Sequence, residues 1–337
     1  MVQNSQHPAG RLRRYVPTTE VLVVALALAS AAAFGEGYPS KPITFIIPFA
    51  AGGDSDLSGR NLAQHASKYL NHQPIIPVNR AGASGMIGTV AAHNAPPDGY
   101  TLLIARIGTH AIVPAVDSKA PYRWDDFTML SMIELNPYIC FVPAEAPYRS
   151  AAELIAAIRT KPGKLNYANV GAGSSQNMAV QYLLSLAGLG KDAAVGVPYK
   201  GGGEVTTAVL GGQVHFACNN APTVIPQVKS GRMRALLVTP ARISDLPEAP
   251  SAAEAGYPQM AKIVGWSALM GPPGLPKEVV DKWADVFARI AGDADWLAGN
   301  ARIGGIAAIR SKEETEKYVH EQVDLYGSLA SSLGIRE

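Results

Sequence analysis

Apolar and polar positions along the chain follow two alternating periods. Residues 43–48 form a short continuous apolar run, the pattern of a strand covered on both faces. Behind it, Leu62, Ala63, Ala66, Tyr69 and Leu70 fall on one stripe at helical spacing. The unit then repeats: 74–78 reads as a strand, 79–88 as a glycine turn, 88–95 as a helix and 100–105 as a strand. Such alternation predicts a parallel sheet with helices on both faces.

A long apolar passage over 127–142 carries no helical period. The cycle restarts where Ser150 and Glu153 form a capping box for a helix ending near Pro162 and Gly163, before a strand at 165–170 and a turn at 171–176. Further strands fit 194–198, 215–218 and 234–239. Val279, Val280, Trp283, Phe287 and Ile290 form one helical stripe. Ser311 with Glu314 caps a last helix bearing Tyr318, Val319, Gln322, Val323 and Tyr326. Two cycles joined by long extended passages predict two α/β lobes around a cleft, linked by ordered crossing strands.

Composition adds an address. In the first 35 residues Arg11, Arg13 and Arg14 precede the uncharged run 21–33, which ends in Ala31, Ala32 and Ala33. The run is short for a membrane span and ends in residues that suit a signal peptidase, so a secretory signal peptide is expected over 1–35, with an uncleaved anchor or buried helix as the alternative. No cysteine follows the run to carry a lipid. Losing three arginines and one glutamate from 29 basic and 27 acidic residues leaves the mature chain without net charge, which argues against nucleic acid as a partner. Cys140 and Cys218 lie in strand-like runs and fit either a disulfide or two buried thiols.

The common catalytic signatures are missing from the sequence: it has no G-x-S-x-G, no H-E-x-x-H and no phosphate loop, and its seven histidines show no zinc spacing. Gly171-Ala172-Gly173 opens like a dinucleotide fingerprint but lacks the third glycine and a placed downstream acid. These absences do not exclude an enzyme, but none of the common signatures supports one, so the expectation is a binding protein rather than an enzyme, with no cofactor and no metal. A secreted enzyme using His110 or Lys200, and a dinucleotide binder, stand as rivals.

What remains is a set of strand-to-helix turns that offer backbone N–H groups and short hydroxyls, the chemistry that holds an anion. The first comprises Phe49, Ala51, Gly52, Gly53, Asp54 and Ser55, and another comprises Gly171, Ala172, Gly173, Ser174 and Ser175. Tyr199, Lys200 and Gly201 form a further turn, and Asn219 and Asn220 end a strand. Asp56 is better read as a helix cap than as a contact. Thr109 and His110 also end a strand, and His110 fits a structural role as well as a contact. Arg106, at the carboxyl end of its strand, either offers paired donors to a carboxylate or bridges a helix C-terminus or Asp125.

The stretches YPSKPITFIIPFAAGGDSD, NRAGASGMIG, PPDGYTLLIA, KPGKLNYANVGAGSS, VPYKGGGE and GGQVHFACNNAP, collinear from Tyr38 onward, resemble the tripartite tricarboxylate transporter receptors, the Bordetella uptake gene family of solute-binding proteins. The resemblance implies an α/β, two-lobed periplasmic-binding-protein (Venus flytrap) architecture, each lobe a mostly parallel sheet flanked by helices. Domain 1 would comprise 36–138 and 262–337, and domain 2 would comprise 139–261. It implies a monomer in the periplasm that closes on a small organic carboxylate and passes it to the membrane subunits of a tripartite transporter, or presents it to a signalling protein. The turns over 51–55 and 171–175 would grip the carboxylate, partly through water. Where many relatives carry a small residue this chain has Arg106, and where they carry an acid it has Asn219. Both changes suggest a more positive cleft and a dicarboxylate ligand, with an aromatic one such as terephthalate in view.

Overall fold

Strands and helices start where the sequence places its glycine turns and caps. The computed structural model describes Met1 and residues 37–335, so the signal peptide expected over 1–35 lies, apart from Met1, outside the described residues. The first cycle is β1 (Ile43–Ile47), α1 (Asp54–Ala66), β2 (Ile75–Asn79), α2 (Met86–His93) and β3 (Thr101–Arg106). β4 (Thr128–Asn136) then runs through the single residue Pro137 into β5 (Tyr138–Pro143), which belongs to a different sheet.

The second cycle is α3 (Ala151–Thr160), β6 (Asn166–Asn169), α4 (Ser175–Leu186), β7 (Val195–Pro198), α5 (Gly202–Leu210), β8 (Ala217–Asn220), α6 (Ala221–Lys229) and β9 (Met233–Thr239). The chain returns to the first sheet as β10 (Gly265–Gly271). It closes with α7 (Lys277–Ile290), α8 (Ala294–Arg302), β11 (Ile306–Ala307) and α9 (Lys312–Leu333). Ser150 and Ser311 cap their helices as the sequence indicates, the latter in a full capping box with Glu314.

The first sheet has the order β11-β4-β10-β3-β1-β2. In the second lobe β5 lies between β8 and β9, while β6 pairs with β7 and reaches the β8 side through a bridge between Tyr167 and Phe216. The expectation of mostly parallel sheets needs one correction, because both lobes are mixed. Strands fed by crossover helices pair in parallel, β1 with β2 and β3, and β6 with β7. The strands that carry the chain between lobes, β4, β5 and β10, arrive from the opposite end and pair antiparallel, as does the edge strand β11.

A buried cluster containing Trp266, Tyr138, Met178, Val319 and Tyr326 spans both lobes, with α9 as one wall. Trp283 of α7 packs on Phe45, their ring centroids 5.8 Å apart, and anchors the outer layer of the first sheet. Cys140 and Cys218 face each other on β5 and β8 and are bridged, which settles the open choice in favour of a disulfide.

Asp293 shows how the outer helices are fastened. Its carboxylate caps α8 through the N–H groups of Asp295 and Trp296, both at 3.1 Å, and also accepts bonds from the Tyr69 hydroxyl and Lys68. Burial alone would raise this carboxyl, but the Lys68 ammonium and the Trp296 N–H outweigh it and hold its pKa at about 2. A carboxyl depressed by folding contributes stability that is present above its unfolded value near 3.9 and is lost as pH falls toward 2. Asp293→Asn should therefore lower the unfolding free energy by about 1–2 kcal/mol at pH 7, below the full shift because Lys68 is partly solvated. Urea titrations should show the gap closing between about pH 4 and pH 2.

Candidate functional site

Several helix starts meet where the lobes face each other. α1 begins after Gly53 and α5 after Gly201, neither with a side-chain cap, so their first-turn N–H groups are not answered by a capping side chain. α4 begins after Ser174, whose hydroxyl accepts from the Asn177 N–H, and α6 begins after Asn220. Asp54, Ser175 and Gly202, the first residues of α1, α4 and α5, line one cavity of about 10 Å³, together with Phe49, Arg106, Gly108, Val170, Ser174, Gln176 and Asn220. That is room for roughly one water between the lobes as they stand.

Contact across the cleft involves both backbone and side chains. The Ala50 N–H donates to Lys200 O at 3.3 Å, and the Ser84 hydroxyl to Val170 O at 3.4 Å. A Cβ on Gly203 would lie 2.9 Å from Gly52 O, so only glycine lets these two turns approach so closely. Gly171 has φ +97° and packs directly beneath the Ser84 side chain.

A buried charge cluster lies at the bottom of the cleft. Arg106 at the end of β3 is 3% exposed and pairs through Nη2 with Asp54, which is 5% exposed at the start of α1. Its Nη1 donates to Asn136 Oδ1 at 3.0 Å and to the Ser267 hydroxyl. Asp54 Oδ2 also accepts from Asn220 Nδ2 of the second lobe at 2.6 Å. Behind the arginine, 3.9 Å from Nη1, Glu134 accepts from Asn136 Nδ2 and the Ser267 hydroxyl, each at 3.1 Å. Burial pushes the Glu134 carboxyl up, with Arg106 pulling the other way.

Two expectations change as a result. Arg106 does not reach Asp125, which pairs with Arg123 on the surface, nor a helix C-terminus. Nor does Arg106 make the cleft more positive, since Asp54 cancels its charge. The pair forms because β1 and β3 are parallel neighbours, which brings the turn after β1 beside the carboxyl end of β3.

Ser55 is fully buried in the first turn of α1 with its hydroxyl unpartnered, facing no described acceptor. Asp56 is not the cap but lies inside that turn, where its carboxylate accepts from the Gly52 N–H at 2.9 Å, from Arg60 and from Asn79. Ala51, Gly52 and Tyr199 line a separate groove of about 650 Å³. Lys200 is exposed, its N–H donating to Glu204, and Gly201 packs on Ala50.

His110 points away from the cavity. A π turn over Gly108–Ile112 buries it against Phe127, centroids 4.7 Å apart, and burial drives its pKa down to about 3, so the ring is neutral. Its Nδ1 lies 2.9 Å from the Thr109 hydroxyl, which itself accepts from the Arg106 N–H. Ala172 is exposed, and Gly173 is buried against Val113. Asn219 is committed within the second lobe, donating to Gly202 O at 2.8 Å and accepting from Gln176 Nε2 at 3.0 Å, which ties the starts of α4 and α5 together. Gln176 and Gly202 extend the turns read from sequence into the cavity wall, and Gly108 and Val170 line it although the sequence reading does not select them. Glu134, Asn136 and Ser267, on the crossing strands, were likewise out of its reach.

Residues 59–335 match the family described as tripartite tricarboxylate transporter family receptor. The protein BugT of Bordetella pertussis is 30% identical over 320 residues, covering 94% of this chain and 96% of its own. Among solved structures, the periplasmic binding protein BugD superposes with a TM-score of 0.83 at 27% identity, covering 89% of this chain and 99% of its own. Rpa4515 of Rhodopseudomonas palustris, solved with adipate, superposes with a TM-score of 0.83 at 28% identity, covering 88% of this chain and 98% of its own.

Proposed function

The chain belongs to the tripartite tricarboxylate transporter receptor family, and from that premise we propose that it captures a small organic carboxylate in the periplasm and delivers it to the membrane subunits of a tripartite transporter. One observation carries the ligand chemistry: the first residues of α1, α4 and α5, drawn from both lobes, line the same cavity. These helix starts present backbone N–H groups, one of them on α4 already met by Ser174, and about half a positive charge each, which together suit one carboxylate beside the Asp54 side chain. Since the grip needs both lobes, binding favours the closed arrangement, in which 139–261 meets 36–138 and 262–337, and the transporter reads that state.

The dicarboxylate reading, with terephthalate as an aromatic example, draws support from the adipate carried by the R. palustris relative and from Phe49 in the cavity wall. It loses the support it took from Arg106, whose charge is already met by Asp54. A sensor role would use the same ligand chemistry with a different partner.

The test is a thermal-shift screen of the oxidised mature protein, unfolded and refolded to strip carried-over ligand, against acetate, benzoate, glutarate, adipate and terephthalate, with NAD as control. A carboxylate present at 100 times its Kd should stabilise the protein by about 2.7 kcal/mol. Stabilisation by NAD alone, or chemical conversion of a bound acid, would overturn the receptor reading.

A further inference from the structure

We propose that Asp54 is a specificity residue. It acts as a built-in carboxylate on Arg106, so that end of the cleft selects a ligand whose distal group donates hydrogen bonds over one ending in a second carboxylate. The inference rests on the receptor reading and narrows its ligand class to monocarboxylates carrying an ammonium, amide or hydroxyl at the far end.

Three observations lead there. First, the position on the guanidinium that a ligand carboxylate would need is filled from within the chain. Arg106 Nη1 is used by Asn136 and Ser267, and Nη2 meets Asp54. Second, both hydrogen bonds to Asp54 fall on Oδ2, from Arg106 and from Asn220. Its other oxygen turns toward Gly202 across the cleft, within 3.2 Å of where a Cβ on that glycine would lie, and retains its capacity to accept. Beside the helix starts that take the ligand's one carboxylate, an oxygen so placed rewards a donor and disfavours a second anion.

Third, the charges around the cavity leave nothing for a dianion. Its lining holds one base and one acid, Glu134 stands behind the base, and Lys200 is exposed on an outer turn. The helix starts can meet one carboxylate. A second would enter a buried site whose only cation is already paired, or would have to expel Asp54 and strand it there.

Matched probes of equal length test this: glutarate, its monoamide and 5-aminopentanoate, titrated calorimetrically into the wild-type protein, Asp54→Asn and Asp54→Ser. In the wild type, the amide or the amino acid should bind at least tenfold more tightly than glutarate. Asp54→Ser, which frees Arg106, should reverse that order. Asp54→Asn keeps the shape and should abolish the advantage of the amino acid, giving a second variant should the serine fold poorly. A wild type that prefers glutarate, or an unchanged order in both variants, overturns the inference and leaves the receptor reading standing. If no acid in this series or in the wider carboxylate screen binds, the receptor reading itself falls and takes the inference with it.

Discussion

Replacing Arg106 with alanine is expected to lower the unfolding free energy by about 3–5 kcal/mol at pH 7, the cost of leaving buried acids without their cation. Asp54 and Glu134 are 5% and 0% exposed, and each faces this guanidinium. Without it, Glu134 keeps the burial that raises its pKa and loses the main charge that opposes the rise. A carboxyl raised by folding binds its proton more tightly in the folded than in the unfolded chain, so stability is lost as pH rises through the folded value. The deficit relative to wild type should thus be larger at pH 7 than at pH 5, as denaturant titrations at the two values would show. Arg106→Lys should recover part of the loss, since it restores a charge without the planar fork that serves Asp54, Asn136 and Ser267 together. A deficit below about 1 kcal/mol would mean that these groups are well solvated, and the account of the cleft given above would fail.

Gly203→Val should separate closure from folding. The residue lies in the first turn of α5, where valine is tolerated, yet its Cβ would stand 2.9 Å from Gly52 O of the other lobe. Overpacking of this kind costs about 2–3 kcal/mol, and here the cost falls on the closed arrangement alone. Apparent affinity scales with the population of the binding-competent state, so the Kd for whichever carboxylate the screen identifies should rise on the order of 100-fold. The melting temperature of ligand-free protein should move little. Small-angle scattering with ligand present should show the variant less compact than wild type. Unchanged affinity would rule out contact between these turns as part of binding.

Much of the scaffold was legible because its signals are local. The apolar run of β1, the glycine turn behind it and the serine caps of α3 and α9 each depend on a few neighbouring residues. β10 was not legible: Gly-Trp-Ser-Ala-Leu-Met-Gly contains no β-branched residue and follows no recognisable turn, and its seven residues are buried because β3 and β4 flank it. The cleft was read in part. Its turns follow from sequence, but the identity of the partner of Arg106 depends on which strands lie side by side. His110 illustrates the same limit, since the π turn that carries it inward leaves no periodic trace in the sequence.

The crossing at Pro137 has a mechanical consequence. The Ala221 N–H bonds to Pro137 O at 2.8 Å, Asn136 and Tyr138 flank that proline, and Gly265 lets Asn220 press close beside them. In the closure proposed above this knot would be the fulcrum, so that groups attached to it would travel least and the turns at Gly52 and Gly203 furthest. Asp54, held by Asn220, works on the short arm, while the glycine contact is the latch on the long one. On that proposal, scrutiny of the solute would come before the latch falls, and a mismatched molecule would be released from an open jaw without the protein having to close and reopen.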